Sequence, residues 1–127
     1  MKKFLLDTSI IIDFLRSKDK TSTIHYRLAK EKLFTSILTY TELFAGKSVW
    51  EKKQARQELE TIFTDISILP LNKTTAEKAG FFKATYKNLY LVDAIIAATA
   101  ITENIQLVTL NTKDFAQIKE IKLFSPE

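Results

Sequence analysis

Strands alternating with helices predict a three-layer α/β/α sandwich around a largely parallel sheet of four to five strands. Three observations carry that prediction. Short apolar runs of strand length recur along the chain, and most lead into a segment with helical spacing. One late segment is apolar nearly all round, which demands a buried helix. Only two Gly and two Pro occur in 127 residues, with no repeat, linker or low-complexity tract. Closely joined elements of this kind fit one domain over 1–127. Strand–helix–strand units joined by short connections favour parallel pairing.

Each element follows in turn. Phe4-Leu5-Leu6 is a short apolar run, read as a buried strand. Asp7-Thr8-Ser9 supplies capping side chains for a helix with Ile10, Ile11, Phe14 and Leu15 at helical spacing. A second helix is expected over 23–32, and a second strand over 33–37. Thr39 is expected to cap a helix carrying Glu42, Leu43 and Phe44, which Gly46 then breaks. A long charged helix should cover 49–63, with Trp50, Ala55, Leu59, Ile62 and Phe63 as its apolar face. Ile66-Ser67-Ile68-Leu69 reads as the third strand, closed by Pro70. Thr74 or Thr75 starts the next helix, which runs towards Lys87. Asp93 is expected to cap the all-apolar helix over 94–101. Leu107-Val108-Thr109 is the fourth strand, and 121–124 offers a fifth.

Composition narrows the chemistry. Hydrophobic residues make up 46% of the chain, enough for a core without cross-links. Cysteine is absent, which excludes disulfides, thiolate metal sites and a cysteine nucleophile. Met1-Lys2-Lys3 before an apolar run resembles the start of a signal peptide, but Asp7 and Asp13 interrupt it and no cleavage site follows. No stretch reaches the roughly 18 apolar residues of a membrane span. A cytoplasmic protein is expected. The formal charge is +4, from 19 Lys and Arg against 15 Asp and Glu. With four acids set aside in one pocket, the remainder carries 19 against 11, or +8. Such a surface attracts a polyanion such as RNA, although ordinary solubility charge reads the same way.

The acids stand where this fold places its sites. Ligands of open α/β sheets sit outside the carboxyl ends of the strands. Asp7 follows the first strand, Glu42 lies about a turn beyond the second, and Asn111 and Asp114 follow the fourth. Asp93 precedes a helix instead of following a strand. Singly, each has a plain structural use. Asp7 and Asp93 can be N-caps, Glu42 a solvated helix acid, and Asp114 a turn residue. Asp13, six residues after Asp7, reads as structural or auxiliary. Together, carboxylates in one pocket repel and resist ionisation. A divalent cation resolves this, and Mg²⁺ prefers oxygen ligands. Such an ion activates water and offsets phosphoryl charge. The lone His25, in a charged segment, reads as a surface residue and not as a general base.

At this point the chain resembles the PIN-domain ribonucleases, most closely the VapC-type toxins of bacterial toxin–antitoxin pairs. The matching segments are Phe4 to Ser9, Thr39 to Gly46, Val92 to Ala100 and Leu107 to Phe115. Each is weak alone; all four, in order and at the family's spacing, are specific. The resemblance implies a Mg²⁺-dependent endoribonuclease, with Mn²⁺ able to substitute. Asp7 and Asp93 would be the principal metal ligands, and Glu42 would complete the site directly or through water. The fourth place lies between Asp114 and Asn111; Asp114 is favoured because only it brings a negative charge. Thr8 and Thr109 match hydroxyl positions beside the acids. The loop 87–91 carries no acid and no Gly, and is expected to affect substrate shape more than chemistry.

The resemblance also implies a homodimer and a cognate antitoxin lying in an apolar groove that reaches the acids. Phe44 and Trp50 are candidates for that groove, with core packing as the competing use. Lys47, Lys52, Lys53 and Arg56 offer an RNA-contacting face or a solvated one. The main alternative is a catalytically inactive PIN-like module binding RNA or protein, against which Asp7, Glu42 and Asp93 argue. A phosphoacceptor receiver would need an acid adjacent to Asp7, and a phosphatase a second acid where Ser9 stands.

Overall fold

In the computed structural model, which describes residues 1–125, the first strand β1 (Lys3–Leu6) is almost wholly buried. Its side chains alternate between two apolar layers, as strand geometry requires. Leu5 joins one cluster, with Phe82, Ile96, Leu107 and Phe115. Phe4 and Leu6 join the other, with Ile10, Leu33, Leu59 and Val108. The sheet is therefore covered on both faces, the three-layer arrangement expected. Strands β2 (Lys32–Ser36), β3 (Ile66–Leu69) and β4 (Gln106–Val108) complete it. Their order is β3-β2-β1-β4, and every pair is parallel. The expected fifth strand is reduced to one parallel bridge between Leu107 and Leu123. Among the described residues, two backbone bonds tie it, Leu107 N–H to Lys122 O at 2.8 Å and Phe124 N–H to Leu107 O at 2.9 Å.

The helices on one face are α1 (Thr8–Arg16), α2 (Ile24–Arg27), α3 (Ile37–Phe44), α4 (Lys47–Glu51) and α5 (Lys53–Ile62). The helix expected over 23–32 is a single turn. Thr23 does cap it, accepting from Tyr26 N–H, but Lys32 is drawn into β2 opposite Lys3, so the chain must turn at 28–31. Ser36, not Thr39, caps α3 by accepting from Leu38 N–H at 3.0 Å. Thr39 lies buried inside that helix. The long helix expected over 49–63 is two helices. Lys52 is extended between them, with φ −115° and ψ 114°. That break leaves Trp50 off the apolar face; it is 65% exposed, and its indole N–H donates to Phe44 O at 2.8 Å.

On the other side pack α6 (Lys73–Thr85), α7 (Leu91–Thr102) and the short α8 (Thr112–Phe115). Asn72 caps α6 through Thr75 N–H at 2.9 Å, displacing the start expected at Thr74 or Thr75. From Ala94 to Ala100 every residue of α7 is buried. Its one hydroxyl there, Thr99, donates to Ile95 O at 2.7 Å, so burial leaves no polar atom of that side chain stranded. The helix starts earlier than expected. Tyr90 is its N-cap residue, and Asp93 lies in the first turn instead of capping it. Among the described residues, no helix is long and apolar enough to cross a membrane.

Candidate active site

Asp7 leaves β1 directly, and its own N–H extends the sheet ladder to Val108 O at 3.1 Å. Its side chain then caps α1. Oδ1 accepts from Ile10 N–H at 3.3 Å and from the Ser9 hydroxyl. Oδ2 accepts from the Thr109 hydroxyl, just beyond β4. The capping use and the site position are thus compatible. A network extends from there: Ser9 Oγ accepts from Leu110 N–H at 3.0 Å, and Thr109 Oγ1 from Asn111 N–H at 2.9 Å. Asp7 is only 4% exposed. Burial raises its pKa above the ordinary carboxylate value, and the four hydrogen-bonding groups around it oppose that rise.

Glu42 sits in the second turn of α3, further along than the single turn expected, and is exposed. Thr8, the first residue of α1, donates to Glu42 Oε1 at 2.6 Å. The Thr8 and Thr39 hydroxyl oxygens are 3.4 Å apart, so Thr39 lines the same corner from inside α3. Asp114 stands on α8, its N–H donating to Asn111 O at 3.1 Å.

Asp93 reaches this edge because α7 runs back against the strands. The helix feeds β4 through residues 103–105, so its amino end lies beside the carboxyl ends of the sheet. The first turn of a helix normally favours a carboxylate. Here the opposite outcome prevails: the Asp93 pKa is raised to about 6. Burial is the largest cause, followed by the charges of Asp7, Asp114 and Glu42. The fold therefore gathers all four acids named from the sequence. Asp13 is not among the charges acting on Asp93. Asn111 is exposed and makes no side-chain capping bond.

The donor set suits a hard cation. It is all oxygen, and its mutual repulsion is what a divalent charge would relieve. Among the described residues, no three acidic or imidazole side chains form a ready-made cage. Mg²⁺ does not need one, because it usually keeps several waters and takes one or two carboxylates.

A pattern-level match accompanies this geometry. The family model described as "PIN domain" matches residues 4–121. The chain belongs to the PIN-domain family. A relative named Ribonuclease VapC, from Rickettsia bellii, is 32% identical, covering 95% of this chain and 94% of the relative. The structure of VapBC-1 from nontypeable Haemophilus influenzae superposes with a TM-score of 0.80 at 26% identity, covering 96% of each chain. A toxin–antitoxin complex from Klebsiella pneumoniae is similar at 30% identity and a TM-score of 0.68, covering 92% of this chain and 93% of that one.

Two features of this PIN domain escaped the sequence. Ser9 couples Asp7 to the backbone after β4, and only the parallel pairing of β1 with β4 brings them together. His25 is buried, not on the surface. Its ring packs edge-on to Phe14 at 4.6 Å, and burial lowers its pKa while Asp65 opposes the shift. It lines a groove of about 460 Å³ with Phe14, Leu33 and Ile62. Leu33 and Asp65 mark that groove as lying towards the amino ends of β2 and β3, away from the acids. His25 is accordingly no general base for the acidic site.

Proposed function

We propose that this PIN domain is a divalent-metal-dependent endoribonuclease and the toxin of a toxin–antitoxin pair. The observation that carries the reading is the repulsion at Asp93. Three acids from three other segments act on it at the carboxyl edge of the sheet. A neutral binding module has no use for such a cost, which disfavours the inactive alternative. The names of the relatives support the reaction class, and the complexes among the solved neighbours support an antitoxin partner.

Asp7 and Asp93 would hold Mg²⁺ or Mn²⁺, which when bound supplies an activated water and offsets phosphoryl charge. The chain's own groups do the positioning. Thr109 and Ser9 fix both Asp7 oxygens, so that carboxylate presents a set direction. Thr8 orients Glu42 across the mouth between α1 and α3. Asp114 takes the fourth place over Asn111, because its charge reaches Asp93. Residues 1–127 act as one such domain, in a cytoplasmic homodimer.

The antitoxin segment would lie in the groove of about 440 Å³ between α1, α3, α4 and α5. Ile12, Leu43, Val49 and Leu59 supply its apolar wall, and Glu42 at its lining leads towards the acids. Phe44 and Trp50 are not part of that lining; instead Arg56 stacks on both rings, at 5.2 and 4.9 Å. Lys47, Lys52 and Lys53 remain exposed and available to a polyanion.

Incubating purified, antitoxin-free protein with total cellular RNA tests the reaction. Cleavage should require Mg²⁺ or Mn²⁺ and stop in EDTA. Cleavage that persists in EDTA would overturn the metal reading.

A further inference from the structure

We propose that Tyr90 is a stacking platform for an unpaired base of the RNA strand whose phosphate lies at the acids. The inference rests on the ribonuclease reading and assigns that site a substrate-contact residue.

Two exposed large side chains stand close in the chain to the acidic carboxylates or to the groups that hold them. Tyr90 is 76% exposed and precedes Asp93 by three residues, so the two lie within one turn at the start of α7. Leu110 is 51% exposed, and its N–H is bonded to the Ser9 hydroxyl that itself donates to Asp7. Leu91, next to Tyr90, is 55% exposed. The mouth of an acidic site thus carries an apolar rim.

Tyr90 is exposed without being loose. Leu89 before it is buried and bonds through its N–H to Tyr86 O at 3.1 Å. The Tyr90 carbonyl accepts from Ala94 N–H at 2.9 Å. The backbone is pinned on both sides, and the side chain has only two torsions to order. Its side chain makes no capping hydrogen bond at the start of α7. A large aromatic in that position gains nothing from solvent.

The occupant follows from what adjoins the rim. Carboxylates with a divalent ion take a phosphate, whereas phenol and leucine surfaces do not. In a single strand, the groups beside a phosphate are riboses and bases. Every base has a face that stacks on an aromatic ring, whatever its identity. An A-form duplex keeps its bases stacked within the helix, so the platform selects looped or single-stranded RNA.

The test is steady-state cleavage of a single-stranded oligonucleotide spanning a cut site mapped in cellular RNA. Tyr90→Ala should raise KM about tenfold, within the range for one stacked base. Tyr90→Phe should stay close to wild type, and kcat should change less than KM. Replacing the nucleotide that flanks the cut with an abasic one should erase the difference between wild type and Tyr90→Ala. The platform is overturned if Tyr90→Ala keeps the wild-type KM, or if its defect persists on the abasic strand. It is also overturned if the variant's loss accompanies a change in mass by light scattering, which would assign the rim to a second copy of the chain. Wild-type protein that cuts no RNA defeats the ribonuclease reading itself. Cutting with an unchanged Tyr90→Ala profile defeats only the platform.

Discussion

Asp7 and Asp93 carry the same charge to the same edge of the sheet, yet the fold treats them differently. Asp7 is the more deeply buried, and four hydrogen-bonding groups offset part of the cost of ionising it, though its pKa stays raised. Every cause resolved for Asp93 opposes ionisation: burial first, then Asp7, Asp114 and Glu42. One carboxylate is built into the scaffold as a helix cap. The other is placed against its neighbours and left to repel. On the proposed function, the difference marks where this molecule would give up stability for chemistry, a trade expected at functional sites. The Asp7 corner serves both ends, while the repulsion at the Asp93 corner is what the proposed cation would relieve.

Substitution by Asn separates the two ends most sharply. Both Asp7→Asn and Asp93→Asn should lose ribonuclease activity. A lost ligand removes several kcal/mol of transition-state stabilisation, a fall on the order of a thousandfold in kcat/KM. In metal-free buffer at pH 7 their stabilities should diverge. Asp93→Asn removes the repulsion and should raise Tm. Asp7→Asn keeps a good N-cap but disturbs the bond from Thr109, so it should give no such gain. The pH dependence follows from the same group and, in the same direction, from Asp7, whose pKa burial also raises. The folded pKa of Asp93, about 6, lies above the ordinary aspartate value of 3.8. Between those values the folded state binds more protons than the unfolded one, so stability falls as pH rises. Wild-type Tm in EDTA should therefore increase from pH 7 towards pH 5. Asp93→Asn should flatten that slope, and saturating Mg²⁺ should do the same. Equal Tm gains for the two Asn variants at pH 7 would break the contrast.

The unequal legibility of the two corners has the same physical origin. Asp7 was readable because strand, cap and helix are consecutive: Leu6, Asp7 and Ile10 announce the turn locally. Asp93 reads from the sequence as a cap, whereas Tyr90 holds the cap position and Asp93 lies in the first turn. Tyr90 is not a capping residue type, so nothing in the sequence marks where α7 begins. Its place beside the strand ends depends on the helix running back to feed β4, which is topology and not pattern. The α4–α5 break at Lys52 was hidden for a similar reason, since charged residues surround it on both sides. The burial of His25 is not legible in the sequence because it depends on Phe14 of another helix. The short apolar runs alternating with helical segments, in contrast, make the layers and the parallel sheet legible from the order of residues.

The Asp7 corner can be weakened without touching an acid. Thr109→Val keeps the shape and deletes the hydroxyl that donates to Asp7 Oδ2 and accepts from Asn111 N–H. Groups that orient metal ligands are typically worth about 10–100-fold in affinity or activity. Leaving a buried acceptor without its donor costs about 1–3 kcal/mol. Thr109→Val should therefore reduce both activity and Tm, and Thr109→Ser should recover most of each. A Thr109→Val enzyme with full activity at low Mg²⁺ would show that Asp7 needs no second bond to hold its direction.

The smallest effect is expected at Thr8, and its size tests whether burial is what makes the Asp7 corner rigid. Thr8 donates to Glu42 Oε1 at 2.6 Å, but Glu42 is exposed. Water can replace a lost hydroxyl there, whereas none has ready access to the buried Asp7 oxygens. Thr8→Val should lower activity less than Thr109→Val and leave Tm nearly unchanged. Because the loss lies in aiming Glu42, it should appear as a higher Mg²⁺ requirement and shrink when Mg²⁺ is raised. If Thr8→Val proves as damaging as Thr109→Val at saturating Mg²⁺, then Glu42 contributes to the reaction as directly as Asp7. The contrast between held and unheld acids would then run along α3 as well as α7.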